Sequence, residues 1–288
     1  MTKCIAHSII VPQRNRVREL RQTLWSIHNA ANAARDEFEV IIVHANQFRM
    51  MHGVDVDIVD SMHPRVFNKP RLLNLGIEAA KGDLLTFLDA DMIVGPHWLH
   101  ATQKRMLHTK APPTRLCYRV RQLRFEDSKS TDSTSYHEQT LQCWEQAERQ
   151  KTRTDLLEDV CSRAECFAIA AEGYGRPEWT NKPNTRTPVF GNSQWSILRD
   201  VLGDLRFDEA YEGAGFEDLD MIDTIWYTVP DYRGEILTKP EDILYHLHHA
   251  RPSVLGNDWC DPKLNLANQR RYARNSAERR RIQQERKN

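Results

Sequence analysis

Apolar positions in the first hundred residues fall into two alternating rhythms. Short, almost unbroken apolar runs appear at 7–13 (HSIIVPQ) and 38–45 (FEVIIVHA), with a weaker one at 54–61 (VDVDIVDS). Each has strand length, and the first two are apolar at consecutive positions, as strands buried on both faces are. Between them lie stretches with a period near 3.6. Residues 17–34 place Leu20, Leu24, Ile27 and Ala31 on one helical face. Residues 69–82 (KPRLLNLGIEAAKG) form a second helix, with Gly82 in the place of a C-cap. Strand and helix in alternation predict a mostly parallel sheet with helices on its faces.

The next apolar run is Leu84, Leu85, Phe87 and Leu88, and it ends on Asp89, Ala90 and Asp91. Side chains alternate along a strand, so both acids are expected on one side, off its end. Two like charges so placed repel, which predicts a positive group between them. In an open α/β sheet, the carboxyl ends of the strands are where ligands bind.

The rhythm then changes. Residues 111–135 are rich in turn formers, 136–170 are highly charged and helical in pattern, and 173–188 read as a mobile loop. A strand followed by a helix is expected over 189–203, with the helix over 193–203. The last stretch, 268–288, is helix-prone and basic, with Arg270, Arg271, Arg274, Arg279, Arg280 and Arg281. It reads as a solvated terminal helix, or as a contact for a polyanion or a membrane surface. One domain over 1–255 followed by a tail over 256–288 is the expected organisation. Its nucleotide-binding half is about 1–100, the helical insertion about 111–185, and the acceptor half about 186–255.

Forty basic and forty acidic side chains cancel, so no overall field draws the chain onto nucleic acid or lipid. The apolar run near the N-terminus is too short for a signal-peptide core or a membrane span. The six cysteines have neither CxxC pairing nor zinc spacing. The expectation is a cytoplasmic protein with reduced thiols.

Several stretches carry candidate chemistry. Asp89 and Asp91 are hard oxygen donors suited to Mg²⁺ or Mn²⁺. VPQRNR (11–16) puts Arg14 and Arg16 directly after a strand that Pro12 is expected to end. FNKPRLLNLG (67–76) sets Asn68, Lys69 and Arg71 at the start of a helix, a turn before Asn74. In RFDEAYEGAGFEDLDM (206–221), Gly213 and Gly215 permit tight turns ahead of Glu217, Asp218 and Asp220. His246, His248 and His249 follow an apolar run and offer nitrogen ligands. Each stretch also has a plainer reading: arginines opening a helix, a polar first turn, acids favoured by the helix dipole.

Taken in this order, the stretches resemble the metal-dependent glycosyltransferases of GT-A fold, family 2-like. They are similar to the branch holding β-1,4-galactosyltransferases, chondroitin-polymerase domains and polypeptide N-acetylgalactosaminyltransferases. The resemblance covers about 5–100 and 186–255. It implies an α/β fold with a mostly parallel sheet, a UDP-sugar donor, a Mn²⁺ or Mg²⁺ cofactor and transfer to a hydroxyl with inversion. Pro12, Arg14, Arg16, Phe67, Asn68, Lys69, Asp89 and Ala90 would line the nucleotide pocket, with Gly191 at the sugar-facing turn. Asp91, assisted by Asp89, would bind the metal with His246 or His248. Glu217 and Asp218 would be the catalytic acid pair, with Asp218 the base. The family's acidic motif after the second strand is HANQ (44–47) here, where Asn46 and Gln47 resemble the galactosyltransferase variant. Ala214 and Phe216 also depart from the pattern beside the acids. The acceptor is a saccharide, a lipid-linked glycan at a membrane face, or a modified base in phage DNA. The rivals are a nucleotidyltransferase, which would want glycines after the first strand, and a non-catalytic nucleotide-sugar binder.

Overall fold

The computed structural model describes residues 5–31, 34, 36–45, 53–60, 67–118, 120–122, 194–213, 215–237, 244–246 and 262–286. The strands are β1 (His7–Gln13), β2 (Phe38–His44), β3 (Val56–Val59), β4 (Leu84–Phe87), β5 (Met92–Ile93), β6 (Arg115–Tyr118), β7 (Val120–Gln122), β8 (Trp195–Leu198), β9 (Gly234–Leu237) and β10 (Leu244–His246). The helices are α1 (Val17–Ala30), α2 (Lys69–Ala79), α3 (Trp98–Met106), α4 (Arg199–Leu202), α5 (Glu217–Thr228) and α6 (Pro262–Glu285).

Seven of these strands form one sheet in the order β3-β2-β1-β4-β8-β6-β9. β3, β2, β1 and β4 are parallel neighbours; β8 runs antiparallel to both β4 and β6, and β9 is parallel to β6. Only β8 therefore opposes the common direction, and the expected mostly parallel α/β sheet is what forms. Consecutive residues of β1 point to opposite faces. Ile9 and Val11 join a core with Leu20, Leu24 and Ile27 of α1 and Trp98 of α3. Ile10 joins a second core with Leu72, Leu73 and Ile77 of α2 and Met221 and Ile225 of α5. Burial on both faces explains the unbroken apolar runs.

The chain steps from β1 outward to β2 and β3, then returns through α2 to β4 on the other side of β1. The order reverses between β1 and β4, so their carboxyl ends border a crevice of the kind where α/β proteins bind ligands.

Three local expectations are corrected. Pro12 does not end its strand but pairs with Val43 inside β1. Ala6 and Ile10 accept backbone bonds from Leu84 and Leu88, so the even-numbered residues of β1 bond toward β4. β4 pairs no further along β1 than Ile10, so the missing N–H of Pro12 costs no ladder bond. Gly82 is not the C-cap of α2, which ends at Ala80. A Cβ on Gly82 would meet the backbone of His7 and Ser8 at 2.7 Å, so the glycine admits a close chain approach. The expected helix over 193–203 is divided equally between the four-residue strand β8 and the four-residue α4.

A buried polar chain crosses the middle of the sheet. His7 Nε2 meets Thr86 Oγ1 at 2.7 Å, Thr86 and Tyr118 both bond Ser196, and Tyr118 reaches Thr102 at 3.1 Å. Burial lowers the His7 pKa to about 3, so its imidazole is neutral in the fold.

Candidate active site

At the end of β4 the chain turns. Leu88 still bonds Ile10, and the carbonyl of buried Ala90 accepts from Thr23 Oγ1 at 3.0 Å. Asp89 and Asp91 therefore leave a turn rather than a strand, and each finds its own cation. Asp89 takes Lys69 Nζ at 2.9 Å and the amide of Gln194 at 2.6 Å. Asp91 lies 3.3 Å from Arg16 Nη1 and 3.6 Å from His246 Nε2. Within the protein each carboxylate thus has its own basic partner.

Arg16 owes its position to Asn15, whose φ of 56° is left-handed. Asparagine tolerates that region better than other side chains bearing a Cβ. Arg14 lies half-buried at the same corner. His246 arrives through the small sheet β5-β10-β7, where it pairs directly with Met92, the residue after Asp91.

Lys69 opens α2 and is only 8% exposed. Its ammonium meets Asp89 at 2.9 Å, Asp218 at 3.1 Å and Glu217 at 3.8 Å. Burial by itself would lower its pKa; attraction to Asp218, Asp89 and Glu217 outweighs burial and holds it above the usual lysine range. Glu217 is the converse. Burial and the adjacent Asp218 raise its pKa, and Lys69 offsets only part of the rise. Lys69 thus joins the acid turn of β4 to the acid pair of α5, although the two lie more than a hundred residues apart in sequence.

The other polar groups of 67–76 hold the loop that delivers the acid pair. Asn68 caps α2 by accepting from Arg71 N at 2.9 Å, and its amide donates to Glu209 O at 2.7 Å. Asn74 bonds both Phe207 N and Phe207 O, and Arg71 reaches Asp60 and Glu209. The carbonyl of Phe67 accepts from Gly213 N at 2.8 Å. Loop 207–216 then turns through Gly213, Gly215 and Phe216 at φ of 73°, 100° and 74° before α5 begins at Glu217. The glycines adopt this region freely, whereas Phe216 is strained there.

The basic tail is a helix solvated on one face and packed on the other. It starts at Pro262 and lies along α5. Arg279 pairs with Asp220 at 2.9 Å, Arg271 with Asp208 at 2.5 Å, and Tyr272 and Ser276 donate to Asp223 at 3.1 and 3.0 Å. Asn268 donates to the carbonyls of Glu212 at 2.8 Å and Gly215 at 3.2 Å. Arg270 and Arg274 face outward.

Of the residues singled out in the sequence, Lys69, Asp89, Glu217 and Asp218 form one contact cluster and Arg16, Asp91 and His246 another, the two adjoining where Asp89 and Asp91 share a turn. Pro12 and Ala90 are buried beneath them, while Phe67 and Asn68 serve the α2 entry. Gly191, His248, His249, Asn46, Gln47, Ala214 and loop 173–188 lie outside the described residues. Sequence reasoning gave Gln194 no role, although it lies in the 189–203 stretch, and it missed that α6 supports the acid loop. It also missed Gln13, His44 and Asp57, linked at 3.0 and 3.1 Å across the ends of β1, β2 and β3.

Glu217 Oε2, Asp218 Oδ1 and Gln194 Oε1 are buried without a hydrogen-bond partner among the described residues. A proton on Glu217 can join it to Asp218, which leaves Gln194 Oε1, beside Asp89, as the open acceptor at the site. No group of three or more His, Cys, Asp or Glu placed to hold a metal occurs among the described residues. The Asp91–His246 pair nevertheless fits a divalent cation. Its donor atoms are 3.6 Å apart, near the roughly 3 Å between adjacent ligands of an octahedral ion, which takes its other ligands from water and phosphate.

The sheet order, with acids from two distant segments beside its switch point, agrees with a GT-A architecture. The chain belongs to glycosyl transferase family 2, whose family model matches residues 8–157. Among solved structures, residues 1–349 of S. aureus TarS superpose with a TM-score of 0.53 at 12% identity, over 84% of this chain and 60% of that one. The same fragment in complex with UDP-GlcNAc gives 0.52 at 12% identity, over 86% and 60%. This chain thus spans about three fifths of the TarS fragment, and at such identity the likeness is one of fold. No curated protein matches it by sequence. No helix among the described residues is long and apolar enough to cross a membrane.

Proposed function

We propose that this glycosyltransferase moves a hexose or N-acetylhexosamine from a UDP-sugar to a hydroxyl acceptor, by a single inverting displacement with Asp218 as base. One observation carries the reading. Lys69 brings Asp89 at the donor crevice and the Glu217–Asp218 pair onto one ammonium, within 2.9 to 3.8 Å. The UDP-GlcNAc complex of TarS supports a UDP-sugar as donor for this fold. In the reaction the acceptor oxygen attacks the anomeric carbon, its proton passes to Asp218, and the C–O bond to the diphosphate breaks with its electron pair leaving on UDP. A positioned base contributes about 10²–10⁴-fold to such a step.

Arg16, with Arg14 beside it, stands where a diphosphate would lie and would stabilise the charge that develops there. Asp91 and His246 would hold Mn²⁺ or Mg²⁺, which supplies a Lewis acid for the leaving diphosphate. Glu217, with its raised pKa, would stay protonated near neutrality and keep a second negative charge off Asp218. Lys69 would exchange part of its contact with Asp218 for donor phosphate and so free the base.

Titration of UDP into the protein with Mn²⁺ and with EDTA tests the donor site. Binding that needs both the metal and Asp91, and is lost in Asp91→Ala, is the expected result. Equal binding in EDTA would remove the metal from the account. No UDP binding under either condition would overturn the donor assignment.

A further inference from the structure

The chain from 212 to 216 is an unfavourable path. Three of its residues have left-handed φ, and one of them, Phe216, carries a side chain that penalises that region. α5 also starts without a side-chain cap, and its first turn crowds Glu217, Asp218 and Asp220 together while burying all three. Such a segment persists only where its surroundings over-determine it.

α6 supplies that determination at several points. Asn268, 4% exposed, ties down the carbonyl of Glu212, just before the left-handed residues, and that of Gly215 among them. The Phe216 ring lies against Tyr272, with centroids 5.8 Å apart. Arg279 and Asn275 neutralise and bond Asp220, which would otherwise add an uncompensated charge one turn from Glu217. A Cβ on Gly215 would come within 3.0 Å of Asn265 Nδ2, so the helix also closes the space above the turn.

We propose that the basic C-terminal helix is a positioning element for the reaction. Asn268 holds the turn at Glu212 and Gly215, Arg279 holds Asp220 in the first turn of α5, and between them they set where Glu217 and Asp218 stand. The reactive step attributed to these acids rests on the function proposed above; the clamp itself does not.

The test uses the full chain with Asn268→Ala and Arg279→Met. Amide exchange over 212–218 is expected to quicken roughly tenfold or more in either variant, because local opening loses its restraining bonds, while exchange over 7–13 and 84–87 stays as in wild type. Release of UDP from UDP-GlcNAc should slow at least tenfold with UDP affinity within about twofold of wild type, a split between turnover and binding that general unfolding would not give. Unchanged exchange over 212–218 in both variants would overturn the clamp. Faster exchange with undiminished turnover would overturn its positioning role. Faster exchange in a protein whose wild type binds no UDP would sink the donor assignment and leave the clamp standing.

Discussion

The two rims of the crevice are built by different forces. The donor rim, from β1 and β4, rests on strands apolar on both faces and on a continuous backbone ladder. The acid rim, from loop 207–216 and α5, rests on buried charges satisfied one by one: Lys69 on Glu217 and Asp218, Arg279 on Asp220, Tyr272 and Ser276 on Asp223. Apolar burial is non-directional and indifferent to pH, whereas a buried charge depends on the presence and protonation of its partner. Under the proposed function, a rim of the first kind would give a stable seat for the donor. A rim of the second kind can exchange partners when a substrate arrives.

The largest effect should come from separating the two rims chemically. Asp218→Asn is expected to lower turnover about 10²–10⁴-fold and to leave UDP affinity nearly unchanged. Next is the residue that joins them. Lys69→Met leaves Asp89, Glu217 and Asp218 without their shared cation, and breaking a buried ion pair in this way costs about 3–5 kcal/mol. Denaturant unfolding measures it, and a loss well under 1 kcal/mol would mean that Lys69 does not join the rims.

A smaller and more telling contrast lies in pH. The Glu217 carboxyl rises from its ordinary 4.5 to about 8 in the fold. The folded state then holds a proton that the unfolded chain has lost, so the acid rim loses stability as pH climbs through that window. His7, under the donor rim, goes the other way, from 6.5 to about 3. The unfolded chain binds the extra proton here, so this contribution is complete above about 6.5 and fades as pH falls toward 3. Unfolding at pH 5 and pH 8 should show Glu217→Gln flattening the alkaline decline, whereas His7→Gln should relieve only the acid side. The smallest effect should be Arg281→Ala. That side chain is exposed and, among the described residues, pairs with Glu278 and Glu285 of its own helix, so neither turnover nor the unfolding midpoint should move.

The same contrast decides what could be read in the sequence. The donor rim was legible because its signals are local: consecutive apolar residues for strands buried on both faces, a helical period between them, acids where a strand stops. The pairing of Glu217 and Asp218 with the first acids was reached through motif order, not through any local pattern. Strand β8 hid within an expected helix, because WSIL is too short for its period to tell. The docking of α6 was illegible for a related reason. Its arginines look like a solvated charged face until Asp208 and Asp220, some sixty residues earlier, are placed against them. The place of His246 depends on the β5–β10 pairing, which links Met92 to a residue more than 150 positions away.

The most direct test of the account is UDP release from UDP-GlcNAc under single-turnover conditions, by wild type and Asp218→Asn, with UDP affinity measured on both. The account predicts intact affinity and a collapse in release for the variant. Equal release by the two proteins would show that the acid rim does not act on the sugar bound at the donor rim, and would contradict it.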